Sequence, residues 1–471
     1  MHARNLIAAL ALALALAAGD ALAAGPAKNV IFFLGDGMGP TTVTAARIFA
    51  HGEAGALAID GLGRTARVKT FSANAQTTDS APSMSAYMTG VKMNNEVVSM
   101  SAETSAADLS VTPPAAYVSG ASSTCPETGN GTPVTTLLEL AKAAGKAVGA
   151  VTTTRVTHAT PAATFAHLCH RDGENTIAEQ VTPGHPRFNP ALGAGVDVLL
   201  GGGWRHFVPS TTTGSKRTDA TDLTALFTGA GYTYVTTGSA LAAVDPAATT
   251  RLLGLFNRDH LSYELDRVAA AADEPSLADM TEKAIRVLRK DGDGFFLMVE
   301  GGRIDHALHG TNARRALEDT VAFDDAIARA LTLVDPADTL VVVTADHDHT
   351  LAFNGYAHRG NPVLGLSTDL KQTTVTGAPV PALAADGRPY TTLVFGNGGT
   401  PRTADRADPS LADTTAPDYL QDVGVQLGTP GSETHGGGDV MLFAKGAGSA
   451  GFKGTIDNTR VFGLVRAAMG L

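Results

Sequence analysis

Cysteine and aromatic residues are scarce in this chain: 2 Cys, a single Trp and 6% aromatic residues over 471 positions. Two sulfurs far apart in sequence exclude a cysteine-built zinc module and a disulfide-dense miniature fold. Charge is sparse too, at 17% of residues, with 35 basic against 46 acidic side chains and a net −11. That balance excludes the basic footprint of a nucleic-acid binder. The 44% hydrophobic content excludes a disordered chain. The 52 glycines follow no G-X-Y period, so a collagen is excluded, and no internal repeat is visible. Beyond the N-terminus no apolar run reaches the roughly 18 residues of a membrane span, so no membrane anchor is expected.

The N-terminus reads as an address. Arg4 supplies a positive start, residues 6–18 are apolar, and Ala21, Leu22 and Ala23 form a small-x-small cleavage site. This is the pattern of a secretory signal peptide over residues 1–23, which predicts a periplasmic or secreted protein. In that oxidising compartment Cys125 and Cys169 are expected to form a disulfide, two free thiols being the alternative.

Hydrophobic patterning predicts an α/β fold. The apolar runs at 29–34, 147–151, 197–200, 295–300 and 339–344 are short and continuous, as in strands buried on both faces of a parallel sheet. Helical periodicity separates them, over about 276–290 and 311–331. A further helix is expected with Thr132 as N-cap and Pro133 at its first position, carrying Val134, Leu137, Leu138 and Ala141 on one stripe and ending at Gly145. One large domain over 24–471 follows, with a mainly parallel sheet between helical layers. Residues 367–432, rich in Thr, Ala, Pro and Gly, are expected to be an inserted subdomain with a strand over 390–395. Residues 99–128 form a second irregular excursion.

Carboxylates collect where such a fold binds ligands, beyond the carboxyl ends of the strands. Asp36, Glu300 and Asp346 each follow or end an apolar run. Asp305 and His309 stand four apart, on one face of a helical turn, and suit a zinc ion through oxygen and nitrogen. Asp346 and His347 open an Asp-His-Asp-His loop, and His435 precedes three glycines. Ser80 lies just before Pro82 in TTDSAPSM, where a helix N-terminus favours an alkoxide and a phosphate. Any one of these has a bland alternative, such as a helix cap, a surface ion pair or a hydrated turn. Together they supply ligands for two adjacent zinc ions around a nucleophile.

The motifs FFLGDGMG (32–39), TTDSAPSM (77–84), VTTTRVTHATPAATFAH (151–167), GFFLMVEGGRIDHALH (294–309), VVVTADHDHT (341–350) and THGGGDV (434–440) resemble those of the alkaline phosphatase family. The resemblance covers nearly all of the chain after residue 28. It implies a three-layer α/β sandwich and hydrolysis of phosphate monoesters, with inorganic phosphate as product. Ser80 would be the phosphorylated nucleophile. One Zn2+ would be held by Asp305, His309 and His435, and the other by Asp36, Asp346 and His347. Asp36, Thr160 and Glu300 would hold one Mg2+, and Arg171 would clamp two phosphate oxygens. His158 and His306 match the branch with two histidines near the magnesium, as groups outside the metal ligands. A homodimer is implied as well. Asn257 stands where some members carry an acidic residue for a fourth metal, and Gly438 where many carry an acidic residue.

Two other readings compete. Phosphodiesterases and sulfatases share the two-zinc scaffold, but a sulfatase needs Arg in the position of Met84. A non-catalytic phosphate- or metal-binding protein is the reading from another class. The remaining histidines, including His167, His206 and His260, are expected to be surface or structural, and His349 to flank the zinc loop.

Overall fold

The computed structural model describes residues 26–399, 406–428 and 432–471. The leader expected over 1–23 lies outside them. Ten strands form the central sheet: β1 (Asn29–Gly35), β2 (Arg64–Lys69), β3 (Ala147–Arg155), β4 (Val198–Gly202), β5 (Thr233–Val235), β6 (Leu252–Leu255), β7 (Phe295–Gly301), β8 (Thr339–Thr344), β9 (Val440–Gly446) and β10 (Gly454–Asp457). Their order is β10-β2-β9-β8-β1-β7-β3-β4-β6-β5. Only β9 runs against its neighbours, β8 and β2.

β1 lies near the centre, and Val30 to Leu34 have no solvent exposure. Side chains alternate across a strand, so Phe32 and Phe33 point to opposite layers. Phe32 packs against Tyr87, ring centroids 5.7 Å apart, and Phe33 meets Phe323 edge-on at 5.9 Å. Tyr87 belongs to α1 (Ser80–Thr89), which packs with α3 (Ala159–Phe165) and α6 (Asn458–Met469). Phe323 belongs to α5 (Ala313–Leu331), whose buried Ala316, Leu317, Thr320, Phe323, Ile327 and Ala330 follow the three-four spacing of one helix face. This helix packs with α4 (Leu277–Leu288). The architecture is therefore a three-layer α/β sandwich around a mostly parallel sheet.

Register brings the strand ends together. Leu34 lies opposite both Glu300 and Thr344, and Glu300 opposite Thr152. Asp36, Glu300 and the loop after Thr344 thus emerge at one edge of the sheet.

The helix expected from Thr132 begins later. α2 is Leu137–Ala143, and Thr136 caps it. Thr136 Oγ1 accepts the Glu139 N–H at 3.2 Å, and Glu139 Oε2 accepts the Thr136 N–H at 2.8 Å, a reciprocal capping box. Pro133 instead pairs with Met100 in an isolated bridge. In the 367–432 region the expected strand is displaced by three residues to Leu393–Gly398, which pairs with Leu351–Phe353 and Val423–Gln426. A separate two-stranded ribbon joins Thr368–Thr373 to Pro379–Pro381.

Because Thr136 Oγ1 also donates to the Thr164 carbonyl at 2.6 Å, Thr136→Ala removes a cap and orphans a buried acceptor. A loss of about 1–3 kcal/mol is expected, read as a lower urea midpoint with unchanged m-value.

Candidate active site

Three short connections at the strand ends build the site. After β1 the chain turns sharply at Gly37, φ +66°, and an added Cβ there would meet His349 Cδ2 at 2.4 Å. The Gly37 N–H donates to Asp346 Oδ1 at 2.9 Å, tying the β1 loop to the β8 loop. Ser83 Oγ donates to the Asp346 carbonyl at 2.7 Å, and Tyr87 OH to the Ala345 carbonyl at 2.8 Å. These bonds lock α1 onto the same loop. Asp79 is the N-cap of α1, its Oδ1 accepting the Ala81 N–H at 2.8 Å, and Ser80 is the first helical residue.

Ser80 Oγ lies buried, 3.3 Å from Asp36 Oδ1 and 3.3 Å from His347 Nε2. His347 Nε2 is also 3.3 Å from Asp36 Oδ1 and 3.3 Å from Asp346 Oδ2. Its Nδ1 faces the Asp348 carbonyl at 3.2 Å. A carbonyl only accepts, so Nδ1 carries the proton and Nε2 presents a lone pair to the carboxylates.

The adjacent cluster repeats this logic. His309 Nδ1 donates to the Glu433 carbonyl at 2.6 Å, and His435 Nδ1 to the Thr78 carbonyl at 2.8 Å. Both Nε2 atoms are then lone pairs, 3.0 Å from each other and 3.3 and 3.5 Å from Asp305 Oδ1. Acceptors facing acceptors repel unless a cation lies among them. The His347 and His435 rings stack with centroids 3.5 Å apart, so the two clusters are adjacent.

A third group brings Asp36, His158 and Glu300 together. Glu300 Oε2 accepts from Thr152 and from Thr154 Oγ1, the latter at 3.0 Å. Glu300 Oε1, Thr160 Oγ1 and His158 Nδ1 there, and Asp346 Oδ2 in the His347 cluster, are buried without a hydrogen-bond partner among the described residues. Orphaned buried polar atoms of this kind are rare and call for an ion or an ordered water as partner. The first two clusters, of imidazole nitrogens and carboxylates, suit zinc, and the oxygens of Asp36, Thr160 and Glu300 suit magnesium.

The electrostatics agree. Burial, then repulsion from Asp346, Asp305 and Glu300, raises Asp36 well above the ordinary carboxylate range. Burial pushes Glu300 up to about 7, and also raises Asp346. Asp305 is lowered instead: burial opposes its charge, but His309 and His349 outweigh burial. Burial, followed by His435, holds His347 neutral, well below the usual histidine range.

Arg171 is mostly buried and paired, its Nη1 donating to Asp79 Oδ1 at 2.9 Å. Its Nη2 donates to His158 Nε2 at 3.1 Å, so His158 carries its proton on Nδ1 and is no ligand in that state. Arg303 likewise donates to His306 Nδ1 at 2.9 Å. Burial lowers both histidines, His306 to about 3, so both are neutral rings with one N–H each. Cys125 and Cys169 are bridged, Cα atoms 5.9 Å apart, two residues before Arg171.

Several residues enter without an assigned role. His349, expected only to flank the loop, donates to Asp305 Oδ1 at 2.8 Å and to Glu433 Oε2 at 2.6 Å. Glu433 is buried beside His435, and its adjacency in sequence was the one signal for it. His260, expected as surface or structural, has its ring centroid 4.2 Å from that of His306, tilted, and 5.3 Å from that of His158, edge-on. Gly438 also acquires a reason: a Cβ there would lie 2.7 Å from Asp348 Oδ2, so an acidic side chain would meet a carboxylate. Asn257 donates to Glu274 Oε1 at 2.6 Å, satisfying that carboxylate with a neutral amide.

The alkaline phosphatase family model matches residues 27–471. The chain belongs to the alkaline phosphatase family. It is similar to the tissue-nonspecific alkaline phosphatase of Rattus norvegicus, 38% identical over 449 residues, covering 89% of this chain and 79% of that one. The alkaline phosphatase of Gadus morhua is 38% identical over 448 residues, covering 89% and 87%. Among solved structures, that of Thermus thermophilus alkaline phosphatase aligns with TM-score 0.68 at 28% identity, covering 95% of this chain and 92% of that one. Membership makes the chain a metal-dependent phosphoric monoester hydrolase.

Glu300, Asp36 and Asp346 are more basic folded than unfolded. In metal-free protein the stability they contribute is full below about pH 4 and is lost as pH rises through about 7 for Glu300. Divalent cations reverse this. Thermal denaturation of metal-free protein is expected to show Tm falling across that window, with the largest gain on adding zinc and magnesium at pH 7 and above.

Proposed function

We propose that the chain is a secreted phosphomonoesterase that works through a phosphoserine on Ser80, with two Zn2+ and one Mg2+. The observation that carries this reading is the convergence of Ser80 Oγ, Asp36 and the His347 Nε2 lone pair at the start of α1. One zinc is assigned to Asp305, His309 and His435. The other is assigned to Asp36, Asp346 and His347, with Ser80 beside it. Magnesium is assigned to Asp36, Thr160 and Glu300. When bound, these ions supply positive charge that stabilises the alkoxides and the oxygens of the transferring phosphoryl group.

The chain's own residues do the positioning. Asp79 caps α1 and also receives Arg171, so one carboxylate sets nucleophile and clamp at a fixed separation. The planar guanidinium suits two phosphate oxygens. Ser80 attacks phosphorus, the leaving oxygen departs toward the Asp305, His309 and His435 side, and water then opens the phosphoserine. The His158 and His306 N–H groups orient water or phosphate. The disulfide braces the segment that carries Arg171, and it suits an oxidising compartment.

Secretion rests on the leader pattern over 1–23. No described helix is long and apolar enough to cross a membrane. We also assign residues 367–432 to an inserted subdomain, and a homodimer as the working state.

Ser80→Ala is expected to lower monoester turnover by roughly 10³-fold or more while metal content stays unchanged. Acid quenching of wild type should trap phosphoserine at residue 80, and full activity in the variant would reject the nucleophile. Arg171→Ala is expected to raise the inorganic phosphate inhibition constant by about 10-fold or more. Diester turnover exceeding monoester turnover would overturn the substrate class.

A further inference from the structure

One cluster of titratable groups beside the site is used by none of the steps above. Glu96, His170 and Asp172 bring a carboxylate oxygen, a ring nitrogen and a second carboxylate oxygen within 4.8 Å of one another. Asp172 is exposed and Glu96 half-buried, so the cluster reaches from solvent inward to Arg171. Glu96 is built into the clamp through its backbone. Its N–H donates to Asp79 Oδ2 at 2.5 Å, and its carbonyl accepts the Arg171 N–H at 2.8 Å. Holding those two bonds puts Glu96 at φ +72°, a left-handed conformation that glycine or asparagine adopts at lower cost.

We propose that Glu96, with Asp172 beside it, is a specificity-determining residue: a negative rim next to the phosphate clamp that disfavours monoesters whose leaving group carries further negative charge and favours neutral or cationic leaving groups. The rim weakens binding of polyanions by direct repulsion. Burial, then Asp79, raises the Glu96 carboxyl to about 7, with Arg171 and His435 opposing, so the rim carries its charge at alkaline pH, where the comparison below is made. The inference rests on Arg171 as the clamp. It would fall together with that assignment if Arg171→Ala left phosphate inhibition unchanged.

The test compares kcat/KM for phosphoglycolate, phenyl phosphate and phosphoethanolamine, whose leaving groups are anionic, neutral and cationic. In Glu96→Gln the phosphoglycolate-to-phosphoethanolamine ratio is expected to rise about 3- to 10-fold, the effect of one partly screened charge. Glu96→Asp keeps the charge and is expected to hold the wild-type ratio, and Asp172→Asn should shift it in the same direction as Glu96→Gln. An unchanged ratio in Glu96→Gln overturns the proposal. So does an equal shift in Glu96→Asp, which would mark a role in backbone geometry alone.

Discussion

The structure depends on a repulsion. Asp36, Asp346 and Glu300 are brought to one edge of a sheet with almost no water around them, and three histidines turn lone pairs toward carboxylates. Left alone, such an arrangement resists folding, since each buried charge is costly and like charges raise one another. On the proposed assignment, cations would convert that cost into binding free energy. Ser83 and Tyr87 hold the β8 loop through its main-chain carbonyls, and the Gly37 N–H holds the Asp346 carboxylate itself.

The sheet makes the arrangement possible because its register is rigid. Phe32 and Phe33, one on each face, pin β1 between the two helical layers, so Asp36 has little freedom to retreat from its neighbours. The tautomers are set in the same way, by main-chain carbonyls of Asp348, Glu433 and Thr78. A carbonyl cannot titrate, so the ligand face of each ring does not depend on pH in the way a carboxylate partner would allow.

Much of this was legible in the chain itself. The apolar run at 339–344 can only be a strand buried on both faces, and its bounds match β8. The Asp305–His309 spacing needs only helical periodicity. Other parts depend on contacts that spacing does not encode. Thr132 and Pro133 look like a helix start, yet Thr136 with Glu139 satisfies two N–H groups at once and wins. The His349–Glu433 pair spans 84 positions and exists only because two loops cross. His260 reads as an ordinary histidine until β6 delivers it beside His306. The strand at 393–398 is displaced from its expected place because its partners, 351–353 and 423–426, lie outside the short apolar segment that suggested it.

His435 reaches the site just ahead of β9, the one strand that runs against the sheet. Its partners in the site begin at Asp36, so the proposed ligand set runs from residue 36 to residue 435. The chain leaving the ribosome therefore carries most of its ligands long before it can close them around an ion. On the proposed ligand assignment, metal capture would be a property of the chain through His435, and with the proposed secretion it would follow export.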